Sequence, residues 1–191
     1  MKLIGSAVSP YVRRIRLLLE GQTYEFVDLN IYAPEGREVL ASYSPAMKVP
    51  VLVDGQQTVY DSAIIQRYLA DKLQLEPLNW DQENLLSLIN AVNDSYIILL
   101  MAARSNIDTA SDALLLNLQK ERIGKTLPLL EQALAQGQFK EGDYPSICLF
   151  CFLDWASFRE LCDLSAYPEL SGFHVQMGAD PLVDATNPRN I

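Results

Sequence analysis

Histidine is nearly missing from this chain, with one copy at position 174, and cysteine is scarce, with copies only at 148, 151 and 162. One histidine does not make a His-based metal site, and no Cys/His ligand spacing of the zinc kind occurs, so no metal is expected. Three cysteines do not build the disulfide framework of a small secreted domain, and the expected compartment is the reducing cytoplasm. Positive charge is also short: 15 Lys and Arg stand against 24 Asp and Glu, a formal net charge of −9. That balance argues against a general nucleic-acid binder and against attachment to an anionic membrane. The start, MKLIGSAVSPYVRR, lacks a long apolar stretch before its arginines, so no secretory signal is expected. The most apolar internal run, around residues 96–103, reads as too short and too interrupted to span a bilayer. Internal repeats and low-complexity tracts are absent as well.

What is present is apolar enough to fold. A chain of 191 residues, 49% of them hydrophobic, buries one good core or two small ones that share an interface. The most informative stretch is KVPVLVDGQQTVYDSAIIQRYL, residues 48–69. Val51 to Val53 reads as a short buried strand, Asp54-Gly55 suits a tight hairpin turn, and Thr58 to Tyr60 reads as the returning strand. After Tyr60 the period changes to helical: Ala63, Ile64, Tyr68 and Leu69 are expected on one face, with Asp61 or Ser62 as N-cap. Pro50 cannot donate to a ladder, so it belongs at a strand start or in a cis Val49–Pro50 bond.

Upstream, Lys2 to Gly5 reads as a first strand. Ser9 precedes Pro10, which suits the first helical position, so Ser9 is the expected N-cap of a helix carrying Val12, Ile15, Leu18 and Leu19. Residues 24–29 alternate as a half-buried strand. Strand, helix, strand predicts a right-handed parallel unit, and with the hairpin and the next helix it makes a mixed four-stranded sheet with helices on both faces. Residues 30–45 form a loop with a short helix around 35–43. Residues 73–79, with Pro77, read as linker, and strand signals stop there. Beyond Trp80 the pattern is helical: about 81–103, then 111–135 with a kink or break expected at Pro128, then an almost wholly apolar helix over 145–160.

Lys48-Val49-Pro50-Val51-Leu52, followed by Asp61-Ser62-Ala63-Ile64-Ile65 and Tyr68-Leu69, resembles the glutathione-binding half of cytosolic glutathione transferases. The start Ser6-Ala7-Val8-Ser9-Pro10-Tyr11-Val12-Arg13 is similar to bacterial members in which Ser-Pro-x-x-Arg follows the first strand. The tail over residues 167–188 also resembles the family's last helix and closing segment. The resemblance implies a thioredoxin-like glutathione-binding domain over residues 1–74, a linker over 75–79 and an all-helical domain over 80–191. It implies that glutathione is the co-substrate and that Ser9, Lys48, Val49, Pro50, Asp61 and Ser62 hold it, Ser9 facing the sulfur and Asp61-Ser62 the γ-glutamyl end. It also implies a homodimer, packed through the first two long helices of the second domain and the edge of the first. Two positions depart from the pattern: Leu149 leaves the capping box begun by Ser146 half complete, and Asp180-Pro181 stands where Arg-Pro is common.

The chemistry is consistent with that role. A helix N-terminus offers unpaired N–H groups and partial positive charge to an anion. A hydrogen bond to a charged group is worth roughly 1.5–3 kcal/mol and a helix N-terminus about 0.3–1 kcal/mol. At about 1.4 kcal/mol per pH unit, a thiol that starts near 8.5 falls by roughly 1–3 units, enough to ionise it at neutral pH. Ser9 would stabilise that thiolate while it attacks a small electrophile. Disulfide reduction would call for Cys where Ser9 stands. Cys148 and Cys151 form a C-x-x-C on an apolar helix, a packing pattern. The alternative is a non-catalytic regulatory protein on the same scaffold, similar to the starvation-induced regulators that bind RNA polymerase; scaffold alone does not separate the two. For the acceptor pocket the candidates are Tyr11, Met101 and Arg104, by position only. Arg13 reads as a structural or solvated arginine, and Asn90 and Asp94 interrupt an apolar helix face.

Overall fold

The computed structural model describes residues 1–190. Its sheet has four strands in the order β2-β1-β3-β4: β1 (Lys2–Gly5), β2 (Glu25–Asp28), β3 (Val51–Asp54) and β4 (Gln57–Tyr60). β1 lies parallel to β2 and antiparallel to β3, and β3 and β4 form a hairpin. Its turn passes through Gly55 at φ +59°, a conformation that favours glycine. The Val49–Pro50 bond is cis.

Side chains alternate across the sheet and sort the core. Ile4 and Val51 are register partners, and with Leu29 and Leu40 they form one buried cluster. Leu40 belongs to α2 (Pro34–Tyr43), which therefore covers that face. Leu3 and Leu52, the neighbouring register pair, are fully buried on the other face, where α3 (Ser62–Leu73) packs on β3, β4 and α1 (Pro10–Leu18). Gly5 ends β1 under α1, and a Cβ there would meet Val12 Cγ2 at 2.4 Å. The buried face of α3 carries Ser62, Ile65, Gln66, Leu69 and Ala70. This corrects the expected face: Ile64 points outward and Ile65 inward. In a run of two adjacent isoleucines, periodicity cannot choose which one the sheet covers.

The helical part comprises α4 (Trp80–Arg104), α5 (Leu114–Ala135), α6 (Tyr144–Phe158) and α7 (Pro168–Gly178). α6 is its centre, with Cys148, Leu149, Cys151, Phe152 and Leu153 fully buried, and both α4 and α7 pack on it. Three expectations are corrected here. Pro128 lies inside α5, which runs from Leu114 to Ala135 without the break that was one of the two outcomes expected there; Leu127, Leu130 and Ala133 around it are buried. The N-cap of α6 is Asp143, which accepts from the Ser146 amide at 2.9 Å, while the Ser146 hydroxyl donates to the Lys140 carbonyl at 2.7 Å, so Leu149 leaves no cap open. Finally, the apolar stretch around 96–103 is part of a 25-residue helix that is long and apolar enough to cross a membrane. Its most apolar window is 44% buried, and α4 packs on α5 and α6.

Contacts divide the chain into Met1–Leu78 together with the segment from Ala179 onward, and Asn79–Gly178. The expected helical domain over 80–191 thus loses its last stretch to the first unit. Within that unit the Arg13 side chain donates to Thr186 and to the Val183 carbonyl. That stretch holds the short α8 (Pro181–Asp184) and a 3-10 turn at Pro188–Asn190.

Candidate functional site

Register fixes what shares one end of the sheet. Gly5 closes β1, Val51 opens β3 beside Ile4, and Tyr60 closes β4 beside Val51. The loop from Gly5 to Ser9, the Lys48-Val49-Pro50 approach to β3 and the Asp61-Ser62 start of α3 therefore belong to the same end, within the first unit. Six of the sequence-designated residues, Ser9, Lys48, Val49, Pro50, Asp61 and Ser62, are brought to it.

Each of the three segments is held by specific contacts. Ser9 caps α1, its hydroxyl accepting from the Val12 amide at a long 3.4 Å and its amide donating to the Ser6 carbonyl at 2.9 Å. A serine hydroxyl has one donor and two acceptor sites, so accepting from Val12 leaves its proton to donate outward. The loop before Ser9 is tied by Asp28, whose carboxylate accepts from the Ala7 amide at 2.8 Å. Sequence reading missed Asp28, because its role appears only once β2 lies parallel to β1 and places it opposite Gly5. Lys48 is exposed, Val49 half-buried and Pro50 buried, and the Lys48 amide donates to the buried Ser44 hydroxyl at 3.3 Å. At α3, Asp61 has φ 70° and ψ 138° and accepts from the Ala63 amide at 2.8 Å. Such a backbone is left-handed territory for a residue with a side chain, and its cost of order 1–3 kcal/mol is the kind of strain that clusters at functional sites. Asp61 itself is exposed, whereas Ser62 is buried.

The acceptor-pocket candidates fall on different units. Tyr11 is half-buried on α1, with the Arg14 guanidinium 4.7 Å from its ring centre. Met101 and Arg104 lie at the end of α4, half-buried and exposed. On the same helix Asn90 is half-buried and Asp94 exposed.

Thiols and imidazole stand elsewhere. All three cysteines are in the second unit. Cys148 and Cys151 are fully buried. Burial pushes the Cys162 thiol up, and the Tyr96 hydroxyl is raised too, chiefly by its own burial. His174 Nε2 lies 3.0 Å from the buried Asp154 carboxylate and its ring stacks on Phe150, joining α7 to α6. Among the described residues, no group of three or more His, Cys, Asp or Glu is placed to hold a metal ion.

Comparison with known proteins agrees with this architecture. The profile of the glutathione S-transferase N-terminal domain matches residues 3–77. The uncharacterized GST-like protein YibF of Escherichia coli (strain K12) is 32% identical over 176 residues, 84% of each chain. Glutathione S-transferase 3 of Zea mays is 28% identical over 158 residues, covering 75% of this chain and 71% of that one. A glutathione S-transferase structure from Methylobacillus flagellatus KT with GSH bound shares the fold at a TM-score of 0.85, with 22% identity and 98% of both chains covered. The chain belongs to the glutathione S-transferase family.

Proposed function

We propose that this protein is a cytoplasmic glutathione transferase of the serine type, which binds glutathione at the end of the sheet described above and adds its thiolate to a small electrophile. The observation that carries the reading is the convergence of two helix N-termini, those of α1 and α3, with the Val49–Pro50 strand start at one sheet end. Their chemistry divides along the tripeptide. The buried Ser62 and the amides of the first turn of α3 take the γ-glutamyl carboxylate, and Asp61 takes the ammonium group. The backbone of Val49 pairs with the cysteinyl residue, beside Lys48 and Pro50. Ser9 donates its hydroxyl proton to the sulfur and stabilises the thiolate, aided by the positive end of α1. Tyr11, Met101 and Arg104 are the proposed contacts to the electrophile. Relatives support the ligand: the Methylobacillus flagellatus structure holds GSH, and one from Methylobacterium radiotolerans JCM 2831 holds glutathione sulfonate.

The test is calorimetric titration with glutathione followed by a panel of electrophiles. Binding with conjugation supports the enzyme. Binding with no conjugation across a broad panel favours the regulatory alternative, which would engage RNA polymerase. Failure to bind glutathione rejects the site. A homodimer is part of the proposal, supported by the exposed Leu114, Leu115 and Leu118 on α5 and Trp80 at the start of α4. A monomeric mass by light scattering at micromolar concentration rejects that part.

A further inference from the structure

We infer that the chain's C-terminal segment, from Ala179 onward, sets the orientation of Ser9 through Arg13 and thereby tunes the bound thiol. The inference rests on the glutathione transferase reading above and adds to it a positioning residue, Arg13, with Thr186 behind it.

Arg13 lies one turn after Ser9 on α1, and its amide donates to the Ser9 carbonyl at 3.0 Å, closing the turn that carries the hydroxyl. Its side chain runs the other way and is only 3% exposed. Nε donates to Thr186 Oγ1 at 3.0 Å and Nη2 donates to the Val183 carbonyl at 3.1 Å. The Thr186 hydroxyl donates its own proton to that same carbonyl at 3.0 Å, which aims an oxygen lone pair at Nε. Asp180 holds the segment in its turn by accepting from the Leu182 amide at 2.9 Å. Val183 and Thr186 are themselves buried.

Burying a guanidinium is costly, and an apolar side chain would fill the same volume without that cost. What the guanidinium adds is direction, because its planar fork is satisfied in one geometry. The direction matters because α1 has nine residues, a length at which a helix depends on tertiary contacts. The Ser9 cap is long, at 3.4 Å, and so does little to fix the first turn. The turn is instead held by the close packing of Gly5 under Val12 and by Arg13 on the tail. Hydrogen bonds weaken steeply with angle and distance, so a small rotation of α1 would loosen the contact between the Ser9 hydroxyl and a thiolate while leaving the anchors at Val49, Asp61 and Ser62 in place.

The test uses the full chain with Thr186→Val, Arg13→Met and Arg13→Lys. Three quantities are read in each: glutathione affinity, the pH profile of conjugation, and the ultraviolet titration of the bound thiolate. For Thr186→Val the expected result is an acid limb and a thiol titration moved up by about half to one pH unit, a fraction of one charged hydrogen bond. Conjugation at neutral pH should fall roughly three- to tenfold and recover in alkaline buffer, with affinity within about threefold of wild type. Arg13→Met should shift further and Arg13→Lys should restore part of the loss. A wild-type pH profile in Thr186→Val, with any loss confined to thermal stability, overturns the inference. Thr186→Val decides even if Arg13→Met fails to fold. A wild-type protein that neither binds glutathione nor conjugates overturns the function itself, and this inference with it.

Discussion

Two helices begin at the same end of the sheet, and they begin differently. Ser9, ahead of α1, has relaxed extended dihedrals of −83° and 128° and caps its helix through a long 3.4 Å contact. Asp61, ahead of α3, is held at 70° and 138° and caps through a short 2.8 Å contact. A cap made only for the helix would resemble the first in backbone and the second in bond length. The mismatch suggests a division of labour: α1 gives up cap strength to keep a hydroxyl proton for an outside acceptor, while α3 carries backbone strain to fix a charged side chain and the buried serine behind it. On the proposed function, the start of α1 would tune an anion and the start of α3 would anchor a ligand.

Breaking the α1 side should have the largest effect on rate. Ser9→Ala is expected to leave glutathione affinity nearly intact and to raise the bound thiol's pKa by about 1–2 pH units, the worth of one charged hydrogen bond. Conjugation at neutral pH should then drop roughly ten- to a hundredfold and recover partly in alkaline buffer. Equal rates for wild type and Ser9→Ala across the pH range would reduce Ser9 to a helix cap. On the α3 side the loss should appear in binding. Ser62→Ala is expected to weaken glutathione roughly ten- to a hundredfold, from about 1.5–3 kcal/mol for a lost bond to a carboxylate. Unchanged affinity by calorimetry would remove Ser62 from the anchor.

Asp61 sharpens the comparison because stability and binding should move in opposite directions. Asp61→Gly relieves a conformation that glycine adopts freely and costs only a few tenths of a kcal/mol as a cap. Against the order of 1–3 kcal/mol of strain, less the entropy of a new glycine, a net stabilisation of about 1 kcal/mol is expected, read as a higher Tm. Glutathione affinity should fall in the same variant. A lower Tm with undiminished affinity would mean that the backbone at 61 is neither strained nor functional.

Much of this site was legible in the sequence because its determinants are local. A proline before a strand, a Ser-Pro before a helix and an Asp-Ser after a hairpin each announce a chain direction within a few residues, and the sheet register gathers them. What escaped was set by packing or by distant partners. Ile64 and Ile65 are equivalent in composition, and only the sheet beneath α3 selects Ile65. Pro128 signals a kink or break locally, but α5 runs through it between buried leucines. In the grouping of Ala179 onward with the first unit, Arg13 meets Thr186 across 173 positions, and one of three arginines in a helix carries no sign of its partner. Asp28 was overlooked for the same reason: its role exists only once β2 lies beside β1.

The opposite end of the sheet supplies the control, and there the expected effect is smallest. Asp54 closes β3, where its carboxylate accepts from the Tyr68 hydroxyl at 2.7 Å and pairs with the Lys72 ammonium. The hydrogen bond from Lys72 first, and that from Tyr68 next, hold the Asp54 carboxyl below its ordinary value of 3.8. A carboxylate lowered in the folded state binds its proton more readily when unfolded, so it contributes stability above the ordinary value. That contribution should be lost as pH falls from about 3.8 through the lowered folded value. Lys72 is raised by the same bond, so its share should persist below its ordinary value of 10.5 and fade only as pH rises beyond it. Asp54→Asn should therefore unfold slightly more easily than wild type near neutral pH, and the two thermal midpoints should converge in acid. Solvent screens a pair this exposed, so the difference should be small and should shrink in high salt. Glutathione binding should not change, because neither Ser9 nor the start of α3 touches this cluster. A gap between the midpoints that persists in strong acid would show that Asp54 acts through packing, and a loss of glutathione affinity would break the separation between the two ends of the sheet.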